Sequence, residues 1–149
     1  MFSRSCQYAI QAILYIGLHH TESRRIGLRE ISSSQEIPIH YLSKILQLLV
    51  KNKLLNSSTG PGGGFALLAD PNELKLMQVV QIIDGLDIFE VCGIGMKICS
   101  DESPCPIHEN FKVVKEEIKK LLNEKSLRDL IDDVKKGKSF VTFIQDKAD

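Results

Sequence analysis

Three cysteines and a histidine stand close together in the second half of the chain, as Cys92-x6-Cys99-x5-Cys105-x2-His108. Thiolates and a neutral imidazole are the donors zinc takes in tetrahedral sites. The same set can hold an iron–sulfur cluster, where histidine replaces cysteine on one iron. Structural zinc sites usually bring their ligands in tight C-x2–4-C pairs, whereas gaps of six and five suit a looser loop around a larger cofactor. Residues 105 and 108 are three apart, so a helix starting there puts both side chains on one face. Both metals stay open on these residues, against the bland alternative of unligated thiols that pair occasionally. In a reducing compartment such a cluster reads as a metal site rather than a disulfide framework. Cys6 falls on the apolar face of a helix and reads as a small buried hydrophobe.

Enzyme chemistry has little to stand on. No CxxC, HExxH, GxSxG or phosphate loop occurs, and the acids nearest the cysteines (Asp84, Asp87, Glu90, Asp101, Glu102) lack a partner histidine other than His108. The expectation is a protein that is not an enzyme.

The elements that must position this group follow from periodicity. Residues 3–20 repeat apolar side chains at helical spacing (Cys6, Ala9, Ile10, Ile13, Leu14, Ile16, Gly17), and a short helix is expected from Leu28 to Gln35. A third helix opens near Pro38, where a missing N–H costs nothing. Its apolar face is Tyr41, Leu42, Ile45, Leu46 and Leu49. Leu54–Thr59 and Phe65–Leu68 flank Gly60-Pro61-Gly62-Gly63-Gly64, a hairpin signal. A fourth helix covers Leu76 to Asp84, and residues 86–105 have no sustained period and read as a loop.

A long helix spans 106–123, with Ile107, Phe111, Val114, Ile118 and Leu121 stepping by 4, 3, 4 and 3. That is a heptad seam, too narrow for a core face, and it predicts a homodimer through these five residues. Ser126-Leu127-Arg128-Asp129 is a capping box opening a last short helix with Leu127, Leu130, Ile131 and Val134. The tail Phe140–Ile144 has strand character without an assigned place.

Helix, short helix, turn, helix and hairpin is the order of a winged helix-turn-helix, whose second helix lies in the major groove. Ile39, His40, Ser43, Lys44 and Gln47 are the residues its third helix offers to base edges, and glutamine can bond adenine in bidentate fashion. Thr59, Gly60, Gly62 and Gly63 place a wing nearly free of side chains where backbone can approach phosphate. The turn position often held by glycine is Glu36, a small electrostatic cost near DNA. Charge distribution agrees: residues 1–68 hold seven Lys/Arg against three acids, although the whole chain is neutral. A basic half fits a polyanion such as double-stranded operator DNA.

The stretch Tyr41-Leu42-Ser43-Lys44-Ile45-Leu46-x5-Lys53-Leu54-Leu55, followed by Gly60-Pro61-Gly62-Gly63-Gly64-Phe65, resembles the Rrf2 family of transcription regulators, which includes IscR-like and NsrR-like iron–sulfur sensors. The similarity runs from Ser3-x4-Tyr8-Ala9 to about Ile131. It implies a homodimer on roughly palindromic operators, with Cys92, Cys99 and Cys105 as cluster ligands and His108 as the fourth in the IscR-like pattern. A two-iron, two-sulfide cluster is then favoured over a four-iron one. NsrR-like proteins recruit an acidic residue from the partner's first helix, and the matching position here is Gln7. Other departures are Thr59, where arginine is frequent, Ser43, where IscR-like proteins carry an acid, and a first cysteine gap one residue longer.

The expected architecture is therefore mainly α: a winged helix-turn-helix DNA-binding domain (1–85) with a β-hairpin wing, a cysteine-bearing loop (86–105), a long dimerisation helix with a short C-terminal helix (106–135), and a tail (136–149). The expected function is a sequence-specific regulator tuned by an iron–sulfur cluster. The alternative is a zinc-stabilised or cluster-free winged-helix interaction module. No run approaches the roughly eighteen apolar residues of a membrane span and no signal peptide is evident, so the expected location is the cytoplasm.

Overall fold

The computed structural model describes residues 1–141. Six helices and one two-stranded antiparallel sheet follow in the order α1 (Arg4–His19), α2 (Leu28–Gln35), α3 (Ile39–Lys51), β1 (Leu55–Ser58), β2 (Gly64–Leu67), α4 (Leu76–Ile83), α5 (His108–Glu124) and α6 (Leu127–Lys135). This is the mainly α, winged helix-turn-helix architecture that the sequence predicts.

Helix α1 is the axis of the core. Its Ala9, Ala12, Ile13 and Ile16 are fully buried and pack with Ile31 of α2, Leu42, Leu46 and Leu49 of α3, and Leu127 and Ile131 of α6. Ser3 caps α1 by accepting from the Cys6 amide at 3.0 Å, satisfying one of the free N–H groups of the first turn. The Ser3 amide donates to Asp84 Oδ2 at 2.9 Å, which ties the start of α1 to the end of α4.

Between α2 and α3 the chain turns through Glu36 at φ 51°, a left-handed conformation in a non-glycine residue. The Ser32 hydroxyl donates to the Ile37 carbonyl at 2.6 Å, and buried Ile37 anchors the turn. Glu36 thus takes the conformation a glycine would adopt more cheaply. Pro38 is the N-cap of α3 rather than its first residue. Tyr41, expected on the apolar face of α3, lies instead at the surface, its hydroxyl bonded to Ser5 and its ring edge-on to Tyr8.

The hairpin pairs Leu55 with Leu67 through Ser58 with Gly64. A third segment joins it: Ile26 and Phe65 exchange two backbone hydrogen bonds of 2.9 and 2.8 Å, so the wing is fastened to the stretch before α2. Helix α6 opens on the predicted capping box, with Ser126 and Asp129 bonding each other's backbone. It packs back on α1 at Gly17, where an added Cβ would come within 2.7 Å of Ile131 Cδ1.

A second, smaller core lies under the cysteine loop, made of Cys6, Val80, Phe89 and Leu122 with Ile118 packed against it. Phe89 belongs to a short 3-10 turn, Asp87–Phe89, inside the stretch read from sequence as featureless loop. The strand-like tail Phe140–Ile144 extends past the described residues; within them Phe140 is exposed and Val141 packs against the main core.

Candidate functional site

The loop from Val91 to Pro106 and the first turns of α5 converge on one point. The sulfurs of Cys92, Cys99 and Cys105 lie within 4.8 Å of one another. Cys92 Sγ stands 3.5 Å from Cys105 Sγ, and Cys99 Sγ stands 3.1 Å from His108 Nδ1. His108 is the first residue of α5, which starts two residues later than the sequence predicts. Cys105 lies before the helix, and a turn in which the His108 amide donates to the Cys105 carbonyl at 3.0 Å, not a shared helix face, sets the two residues relative to each other. The four side chains line a cavity of 350 Å³ walled by Phe89 and Phe111, with Lys112, Lys115 and Lys119 along its α5 side.

Backbone N–H groups of Ile94 and Met96 point at Cys92 and, with smaller help from Cys105 and Cys99, pull its thiol down to about 7. Donors aimed at sulfur stabilise the thiolate, the form that binds metal. Cys99 shifts up: a backbone hydrogen bond from Cys105 lowers it, but desolvation and the neighbouring thiols outweigh that bond. Asp101 accepts from His108 Nε2 at 2.9 Å and from Lys112 Nζ at 2.8 and 3.0 Å. The lysine first, then the histidine, holds its carboxyl down at about 2. The sequence gives Asp101 no role of its own, because this contact crosses from the loop to α5 and follows no helical spacing.

Three convergent thiols, one of them readily ionised, and one imidazole form a donor set that fits a metal or iron–sulfur group. The three lysines are matched by Glu90, Asp101 and Glu116 in the same lining, and two of them are paired there, Lys112 with Asp101 and Lys119 with Glu116. Tetrahedral ligands on one zinc stand about 3.8 Å apart, from a Zn–S bond near 2.3 Å; the Cys92–Cys105 pair, at 3.5 Å, is that close, and the three sulfurs together lie within 4.8 Å. Cys6 takes no part. It is fully buried in the second core, and burial, with the nearby charge of Asp84, pushes its thiol up to about 12. Gln7 is exposed and donates to the Phe2 carbonyl at 3.0 Å.

On α3, His40, Lys44 and Gln47 are exposed, while Ile39 and Ser43 are half-buried beside them. His40, Lys44 and Gln47 lie away from the face carrying Leu42, Ile45, Leu46 and Leu49, and Ile39 and Ser43 border it. The wing exposes Thr59, Gly60 and Gly62, with φ +81° at Gly60 and +73° at Gly62. Gly63 is confined: a Cβ there would sit 2.4 Å from the Ser58 carbonyl oxygen. Arg25 reaches the base of the wing and donates to the Asn56 side chain.

The heptad residues of α5 divide into two sets. Phe111 lies over Gly93, whose added Cβ would fall 2.7 Å from the ring, and Ile118 packs on the second core. Ile107, the N-cap of α5 rather than part of the helix, is 36% exposed, and Val114 and Leu121 are 50% and 52% exposed. Two of the five positions are therefore covered within the chain itself, and the three spaced seven apart remain as an exposed apolar stripe.

Residues 2–133 match the family model described as "Rrf2: Iron-dependent Transcriptional regulator". The HTH-type transcriptional regulator IscR of Serratia proteamaculans is 32% identical over 125 residues, covering 84% of this chain and 75% of the relative. An HTH-type transcriptional regulator of Aquifex aeolicus is 27% identical over 133 residues, 88% and 91% of the two chains. Among solved structures, CymR, the global cysteine regulator of B. subtilis, superposes with a TM-score of 0.73 at 20% identity, over 89% of this chain and 96% of that one. T. potens IscR gives 0.71 at 20% identity, over 95% and 93%. At such identities these two structures establish the fold.

Proposed function

We propose that this chain, which belongs to the Rrf2 family of transcriptional regulators, binds operator DNA as a homodimer and tunes that binding through an iron–sulfur cluster. The family is one of transcription regulators, not of enzymes. The observation that carries the cluster reading is the convergence of Cys92, Cys99, Cys105 and His108 on one cavity. A bound cluster would supply a centre whose charge and ligation change with redox state or cluster loss. The chain's own residues do the rest. Cys92 offers a thiolate near neutral pH, His108 presents Nδ1 to the thiols, and Phe89 fixes the start of the loop in the second core. The IscR-like relatives and the Cys-x2-His ending favour a two-iron cluster, and Gln7 is no anionic substitute for a fourth ligand.

On the DNA side, His40, Ser43, Lys44 and Gln47 are the proposed groove-facing group, with Ile39, Thr59, Gly60, Gly62 and Gly63 alongside. Pairing is assigned to the stripe Ile107, Val114 and Leu121. A second reading, a single zinc ion stabilising the loop, is favoured by the compactness of the three sulfurs. Anaerobic purification with iron, sulfide and zinc quantitation separates the two. A cluster protein is brown, contains iron and sulfide, and loses its visible absorption when Cys92, Cys99 or Cys105 is changed to Ser. A colourless protein with one zinc and no sulfide would refute the cluster.

A further inference from the structure

We propose that Asp101 is a positioning residue for the metal centre, holding the His108 ring with Nδ1 turned toward the thiols, and that Lys112 holds Asp101. The inference rests on the metal-centre reading above and assigns a role to two residues outside its ligand set.

The imidazole is gripped at both nitrogens. Nδ1 lies 3.1 Å from Cys99 Sγ, and Nε2 lies 2.9 Å from Asp101 Oδ1. A carboxylate can only accept, so in the neutral ring Nε2 carries the proton and Nδ1 offers its lone pair to the site. Turning the ring over would put carbon atoms at both places and lose both contacts. Outer partners of this kind fix the tautomer and orientation of metal-binding histidines.

Lys112 completes the device. Its Nζ bonds both Asp101 oxygens, at 2.8 and 3.0 Å, from a position one turn along α5 from His108. Histidine and lysine therefore move as one helix, while Asp101 belongs to the loop between Cys99 and Cys105. The three together pin the loop to the helix beside the thiols. Asp101, His108 and Glu109 also bring two carboxylates and an imidazole within reach of one cation. Both Asp101 oxygens are already engaged, however, which makes Asp101 a partner of the histidine rather than a ligand. Its side chain is 68% exposed, so the ion pair with Lys112 adds little Coulomb energy, and its effect is geometric.

The test uses the full chain, stripped of metal and reduced, titrated with Co²⁺, whose ligand-field bands report the donors around a tetrahedral ion. Asp101→Ala should weaken Co²⁺ binding about 10–100-fold and shift the bands, with the melting temperature of the metal-free chain unchanged. Asp101→Asn should recover most of the affinity, because its amide oxygen accepts the same hydrogen bond. Lys112→Met should fall between wild type and Asp101→Ala. Wild-type affinity and bands in Asp101→Ala would overturn the assignment while leaving the metal centre standing. An asparagine variant no better than alanine would overturn positioning in favour of charge. A wild-type chain that takes no Co²⁺ would overturn this role, while the iron, sulfide and zinc content of the anaerobically purified protein decides the metal centre separately.

Discussion

Replacing Gly64 with alanine probes how the wing is fastened. Gly64 has φ +134°, a region that side chains rarely enter, and a Cβ there would lie 2.6 Å from the Ile26 carbonyl oxygen and 2.7 Å from its carbon. These are backbone atoms of a fully buried residue and cannot swing aside. The alanine must therefore accept strain of about 1–3 kcal/mol and push apart the two hydrogen bonds joining Ile26 to Phe65, each contributing about 0.5–1.5 kcal/mol. The combined loss is about 2–6 kcal/mol, a large part of the stability of a domain this size. Gly62 is the control. It also has a positive φ, +73°, but nothing lies within 4 Å of its added Cβ, so alanine there costs only the left-handed conformation, about 1–2 kcal/mol. Urea unfolding of both variants, read from midpoints at unchanged slope, should show Gly64→Ala losing clearly more. Equal losses would mean that the Ile26–Phe65 bridge does not hold the wing, and the reasoning would fail.

Other outcomes follow from the exposed faces. Gln47→Ala should cost about 1–3 kcal/mol at a matched operator if the side chain bonds a base. Lys44→Ala should instead weaken all sequences alike and lower the salt slope by about one; unchanged affinity in both at fixed salt would remove α3 from the groove. Val114→Asp with Leu121→Asp should give monomers in sedimentation with the fold intact, since both side chains are already half exposed. An intact dimer from that double variant would move the interface elsewhere. Ile118→Asp is a poorer probe, because Ile118 packs on the chain's own second core and a charge there would harm folding first.

Local signals reached the helices of this chain well. The limits of α2 come from a run whose Leu28 and Ile31 turn inward, and the box Ser126–Asp129 marks the start of α6 from side-chain chemistry alone. The α5 heptad was legible as a stripe but not as an interface. Periodicity says which residues share a line, while what covers each depends on where α4 and the loop come to rest. Phe111 and Ile118 found cover on Gly93 and the second core; Val114 and Leu121 did not. Phe89 escaped because one buried aromatic in a glycine-containing stretch has no period. The four-residue donor set was legible because its spacing is short, but the Asp101 contact depends on a loop folding back on a helix.

Tyr41 shows what the misplaced residue does instead. The sequence put it in the core, yet its exposed ring joins α1 to α3 through Ser5 and Tyr8. Ser5 precedes Cys6, which lies in the second core with Phe89, three residues before Cys92. Ser3, at the same end of α1, is bonded to Asp84, where α4 gives way to the cysteine loop. A continuous set of packed and bonded groups therefore runs from the loop, through the first turn of α1, to the helix carrying His40 and Lys44. The Ser5–Tyr41 hydrogen bond is exposed, so it can be broken without opening the main core, whereas the fully buried contacts of Ile13 and Leu46 cannot. The first turn of α1 is tied to Asp84 through Ser3 and to Tyr41 through Ser5. Tyr41→Phe, which removes the Ser5 bond and keeps the ring, is therefore the change that tests whether ligand loss in the loop reaches α3. Operator affinity that still responds to ligand loss in that variant would rule this contact out.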